Sequence, residues 1–230
     1  MEVTGDLLLA WCGSREWAPE TRHSYYVSIR SFFTWWTAGV AEDPSRVLPH
    51  VRRPRGAPRP VPTSVLEEAL RRSSGRDRLI LCLAALSGLR AGEIARVCAD
   101  DLVDDLGGRS LVVRGKGGVV RLVPLSAWLA AEVERACARG GGWAFPSKYG
   151  GHLSPAHVSK LGATALPSPW TLHTLRHRFA TTAYRAQRDL LAVQRLLGHA
   201  SVETTQRYAE PPNDALRRAV EAADLFAVEH

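Results

Sequence analysis

Residues 172–179 read "LHTLRHRF" and set two histidines and two arginines among three large apolar side chains. Leu172, Leu175 and Phe179 fall on one face at helical spacing, so the stretch reads as a helix anchored along an apolar stripe. A buried helix avoids four cationic or titratable groups in eight residues, and a solvated one does not need the stripe. The helix therefore packs on one side and offers His173 and Arg176, three residues apart, on another. His173 and His177 stand four apart, which also invites a metal. No glutamate or third ligand follows at the spacing of a zinc motif, so no metal is expected.

Working outward, most of the chain carries the helical period. "SPAHVSKLGATAL" precedes the opening stretch and "LLAVQRLLG" follows it, separated by Gly, Pro and Ser breaks. Upstream, "RDRLILCLAALSGLR" is an apolar helix that stops at Ser87-Gly88 and leaves Arg90 at its end, and "AGEIARVCADDL" comes next. Ser64 and Glu67 read as a capping box opening "VLEEALRR". Two β-rich runs, Leu111–Arg114 and Val119–Val123, flank Gly115-Lys116-Gly117-Gly118 and predict a hairpin. The expected class is mainly α with a small antiparallel β-sheet, α+β.

Residues 1–50 read as a small helical module. Leu7, Leu8, Leu9 and Trp11 suggest a helix closing near Gly13, and a second opens at Pro19 and Thr21 and stops at Gly39. Its stripe of Tyr25, Ile29, Phe32, Phe33 and Trp36 is expected to pack in a core. Arg15, Arg22 and Arg30 are candidates for phosphate contact. Pro49 to Ser64, with five prolines and four arginines, is a stiff basic connector. Arg52, Arg53 and Arg55 lie in it, and a tether of this kind suits a protein that encircles DNA. The expected division is residues 1–50, a linker at 51–62 and a larger domain at 63–230, with a C-terminal helix from about residue 213.

The composition is consistent with that partner. The 230 residues are 45% hydrophobic, enough for a real core, and carry a net charge of +7. Of 30 cationic residues only Lys116, Lys148 and Lys160 are lysines. Arginine forks onto phosphate, so the bias fits a nucleic acid. No apolar run approaches the ~20 residues of a membrane span. No basic and apolar leader opens the chain, so a soluble, intracellular protein is expected. Cys12, Cys82, Cys98 and Cys137 lack any zinc-like spacing and read as free thiols.

In order along the chain, Arg90 in "LSGLRAGEIARV", Lys116 in "VRGKGGVVRLVPL", His173 and Arg176 in "HTLRHRFAT", and "LLGHASVETTQRY" resemble the tyrosine recombinases of phage-integrase type. The resemblance runs over about residues 63–210 and, more weakly, the helix "PETRHSYYVSIRSFFTWW". It implies a helical core-DNA-binding module, a catalytic domain, and a site of Tyr208, Arg90, Lys116, His173, Arg176 and His199, supported by Glu93 and His177. It implies cutting and rejoining of a double-stranded DNA core site, and a homotetramer on synapsed DNA formed from free monomers. An accessory directionality factor and integration or excision of phage DNA also follow. Arg114 and Arg178 join the candidate DNA contacts. Only about 60 residues precede the catalytic part, so a reduced clamp without an arm-binding domain is expected.

The chemistry asks for these residue types in its own right. Rejoining DNA without ATP requires storing the phosphodiester energy in a covalent ester, and a phenolate both attacks and leaves. Guanidiniums stabilise charge gained on non-bridging oxygens. An ammonium at a hairpin tip can protonate a departing 5′ oxygen. No step needs a cofactor. The rival readings are a catalytically idle DNA-binding regulator of the same fold and a type IB topoisomerase-like relaxing enzyme. The intact set argues against idleness, since a binder has no use for the nucleophile.

Overall fold

In the computed structural model the described residues are 3–38, 42–51, 60–115 and 118–198. They fall into two compact units, one ending at Ala57 and one beginning at Pro58. Among the described residues no helix is long and apolar enough to cross a membrane.

The first unit holds α1 (Gly5–Gly13), α2 (Pro19–Trp36) and a 3-10 turn at Pro44–Val47. Thr4 caps α1 through its side chain, and Pro19 sits in the first turn of α2, where its missing N–H costs nothing. Leu8, Cys12, Tyr26 and Leu48 form the core, with Trp17, Ile29, Phe33 and Val51 packed on it. The stripe on α2 does not all go inside. Ile29 and Phe33 are half-buried and Tyr26 is the buried ring, while Tyr25, Phe32 and Trp36 stay exposed, Trp36 by 66%. Tyr25 stacks on Trp17 at the rim of the core, and length bears on the far end: eighteen residues of α2 run about 27 Å against about 14 Å for the nine of α1. The far end of α2 outruns its partner within this unit.

The second unit is organised around α4 (Gly75–Leu86), in which Leu79 to Ala85 are all buried. A helix apolar on every side must be surrounded. It packs against α5 (Ala91–Ala95), α6 (Ala127–Arg139), α7 (Pro155–Ala165) and α8 (Leu172–Gln187). α3 (Thr63–Arg72) precedes it, and α9 (Leu190–Leu197) lies against α8 over a second small core of Ala180, Val193 and Leu197. The expected capping box at Ser64 is not formed. Pro62 occupies the N-cap with extended backbone, which draws Thr63 and Ser64 into the first turn.

The sheet has three antiparallel strands in the order β1 (Leu102–Asp105), β2 (Gly108–Arg114) and β3 (Val120–Leu125). β2 and β3 are the expected hairpin. β1 is not among the strands expected from the sequence, because "ADDLVDD" lacks the alternation of a half-buried strand. It is an edge strand, held by its register of Leu102 on Leu111 and Asp105 on Gly108. Leu111, Val113 and Val123 point into the main core.

Candidate active site

The site begins at the turn after α4. Ser87 and Gly88 end that helix, and Gly88 takes φ +65°, a conformation that favours glycine. A side chain there would also strike Phe179, whose Cδ1 lies 2.4 Å from the position of an added Cβ. The turn hands the chain to Arg90, the N-cap of α5, and one turn later Glu93 points back. Its Oε2 accepts the Arg90 backbone N–H at 2.8 Å, and its Oε1 accepts from the Arg90 guanidinium Nη1 at 3.0 Å.

Glu93 is 5% exposed and serves three arginines. Arg121 of β3 forks onto it, Nη1 to Oε1 at 3.0 Å and Nη2 to Oε2 at 2.8 Å. Arg176 of α8 approaches Oε2 at 3.7 Å. Burial alone would raise the Glu93 carboxyl. The hydrogen bonds from Arg121 and from the Arg90 backbone, with the charges of Arg121 and Arg176, outweigh it and hold the group down at about 2.

The same guanidiniums converge on the end of α9. Arg176 Nη2 donates to the Leu197 carbonyl at 2.5 Å and Arg90 Nη1 reaches it at 3.5 Å. Arg121 Nε donates to the Leu196 carbonyl at 2.7 Å. Helix C-termini leave their last carbonyls unpaired and carry partial negative charge, so three cations are well placed there. Gly198 closes the helix in the left-handed conformation, φ 62° and ψ 46°, with Arg121 Nη1 3.0 Å from where a Cβ would stand. Arg176 also donates to the Gly88 carbonyl, which ties α8 to the turn where the site began. It is 2% exposed, whereas the Arg90 side chain remains 41% exposed.

The opening stretch thus does two things. Leu172 and Leu175 anchor α8 in the core, and Thr171 caps it by accepting from the Thr174 N–H. Arg176 faces the cluster. His173 is exposed and His177 half-buried, with their rings edge-on and 4.3 Å apart. Among the described residues no group of three His, Cys, Asp or Glu could hold a metal.

The structure brings Arg90, Glu93 and Arg176 together. Lys116, His199 and Tyr208 lie outside the described residues, as do Arg52, Arg53, Arg55 and the expected C-terminal helix. Gly115, next to Lys116, donates its N–H to the Val119 carbonyl at 2.7 Å and pins the base of the hairpin. Of the other candidate DNA contacts, Arg15 and Arg22 are exposed, Arg15 lying over the Trp11 ring at 5.2 Å. Arg30 donates to the Leu48 carbonyl and Arg114 to Asp101. Arg178 donates to the Val61 carbonyl at 2.9 Å and to Thr63 Oγ1 at 3.1 Å, holding α8 to the approach to α3.

Arg121 is the residue that sequence reasoning missed, and a signal for it existed. In β3 it alternates inward with Val123, and an arginine on a buried strand face requires a buried partner. A cleft of about 850 Å³ lined by Ser74, Arg78, Trp128 and Arg139 shares no residue with this cluster.

Residues 63–214 match the model of the phage integrase family. A tyrosine recombinase XerC of Pelobacter propionicus is 40% identical over 161 residues, covering 64% of this chain. The chain spans about half, 52%, of that relative's length. XerC of Myxococcus xanthus is 30% identical over 239 residues, 91% of this chain and 78% of the relative. Among solved structures, a XerH site-specific recombinase bound to difH substrate superposes with a TM-score of 0.76 at 20% identity, over 97% of this chain and 72% of that one. The integrase of mycobacterium phage Brujita gives 0.56 at 29% identity, over 99% and 80%.

Proposed function

The chain belongs to the phage integrase family of tyrosine recombinases, and on that premise we propose that it is a site-specific DNA recombinase acting through a 3′-phosphotyrosine at Tyr208. The observation that supports this best is the shared carbonyl of Leu197. Guanidiniums from Arg90 and Arg176, far apart in sequence, both reach that single oxygen. Two cations able to share one oxygen can share a non-bridging oxygen of a phosphodiester, and stabilise it most as negative charge builds.

Tyr208 Oη attacks phosphorus, the P–O5′ bond breaks, and the P–Oη bond keeps the backbone energy in an ester. Lys116 supplies the proton that the 5′ oxygen needs, and His173 assists removal of the phenol proton. His199 donates to a non-bridging oxygen, and His177 orients its neighbour. Attack by a 5′-hydroxyl from a partner duplex reverses each step and frees Tyr208, so nothing is oxidised, reduced or consumed. Paired protomers exchange strands through a Holliday junction in a tetramer, on core sites that integrate or excise phage DNA. Arg15, Arg22, Arg52, Arg53 and Arg55 supply salt-sensitive contacts to the backbone.

A duplex nicked near the cleavage point tests this reading, with the reaction run in excess chelator. The full chain is expected to trap a covalent adduct, and Tyr208→Phe none. Arg176→Lys should slow formation by about 10²–10³, the usual cost of one oxyanion donor. No adduct on cognate DNA would leave an idle DNA-binding regulator. Relaxation of any supercoiled plasmid without a preferred site would point instead to a type IB topoisomerase-like enzyme.

A further inference from the structure

Arg121 touches three parts of the site at once. Its fork holds Glu93, the carboxylate that Arg90 and Arg176 share. Its Nε holds the Leu196 carbonyl, three residues before His199. Its Nη1 and Glu93 Oε1 lie 3.6 and 3.7 Å from where a Gly115 Cβ would stand, so the base of the Lys116 hairpin passes beside this pair. A residue recruited only to neutralise Glu93 would need none of the other two contacts. A lysine could supply the charge, but not a planar fork and a third donor in fixed directions.

We propose that Arg121 is the positioning residue of the active site, an internal clamp that sets the Arg90–Arg176 pair, the Lys116 hairpin and the end of α9 in one register without meeting the DNA. The inference rests on the recombinase reading for its catalytic consequence, and on geometry alone for its mechanical one. Side chains that orient others through a second layer of hydrogen bonds cost about 10–100-fold in activity or affinity when replaced, and a clamp that does not meet the DNA places that cost in the rate.

The test compares Arg121→Lys with the full chain in single turnover on the nicked duplex, and adds hydrogen exchange on the DNA-free proteins. The expected result is a cleavage rate constant lower by about 10–100-fold with normal final amplitude, and DNA affinity within about threefold. Exchange in the segment 190–198 should rise in the same variant. A purely structural role predicts the opposite split, with a reduced amplitude from misfolded protein and an unchanged rate constant, and that result overturns the proposal. If Arg121→Lys fails to fold, Glu93→Gln/Arg121→Gln removes both buried charges together and is read by the same split. If the full chain itself forms no adduct, the recombinase reading fails first. The exchange arm then decides the clamp alone, and unchanged exchange in the segment 190–198 removes it.

Discussion

A carboxylate as buried as that of Glu93 is costly to ionise, and it stays ionised only because guanidiniums surround it. Its folded value of about 2, against the ordinary 4.5, is therefore a statement about stability. The contribution is fully present above pH 4.5 and disappears as pH falls through about 2, and it amounts to something on the order of 3 kcal/mol. Urea unfolding followed from pH 6 to pH 2 should show that loss, and Glu93→Gln should flatten it. A variant whose stability still fell as steeply over the acid range would show that another group carries the dependence. The neutral glutamine would also leave buried guanidiniums short of a partner, at about 3–5 kcal/mol in the neutral range.

Between elements, the critical joint is the Gly88 turn, where α4 gives way to α5 and α8 crosses close by. Gly88→Ala combines a left-handed backbone with a collision against Phe179 and should cost about 2–4 kcal/mol, read as a lower urea midpoint. A midpoint shift equivalent to less than about 0.5 kcal/mol would mean that the turn relaxes freely. This joint, like most of the helices, was legible in the sequence. "LSGLR" announces a helix stop, and the period of Leu172, Leu175 and Phe179 fixes which face of α8 packs. What the sequence hid were features decided by partners far along the chain. β1 becomes a strand because β2 offers it an edge. Arg121 is tolerated on an inward strand face because Glu93 is already there. Tyr25 and Phe32 carry the right period yet stay exposed, Tyr25 stacked on Trp17 and Phe32 beside Phe33, which takes the place on the core. Periodicity states which residues could be buried. Only the tertiary partner determines how many are.

For the whole chain, the net charge of +7 and the near-exclusive use of arginine imply that, on the proposed function, DNA affinity is a matter of counter-ion release. Binding to a core site should weaken by more than about a hundredfold between roughly 50 and 200 mM salt, as measured by titration at equilibrium. A flat response would rule out backbone contacts as the main source of affinity. Within the second unit the balance of charge around Glu93 is finer. Glu93 cancels Arg121, which leaves two positive charges, on Arg90 and Arg176. A resting phosphodiester brings a single negative charge and would leave one cation over. On the proposed mechanism a five-coordinate phosphorus carries two and brings these four residues to electroneutrality, so the buried cluster would favour the species that exists only in passing.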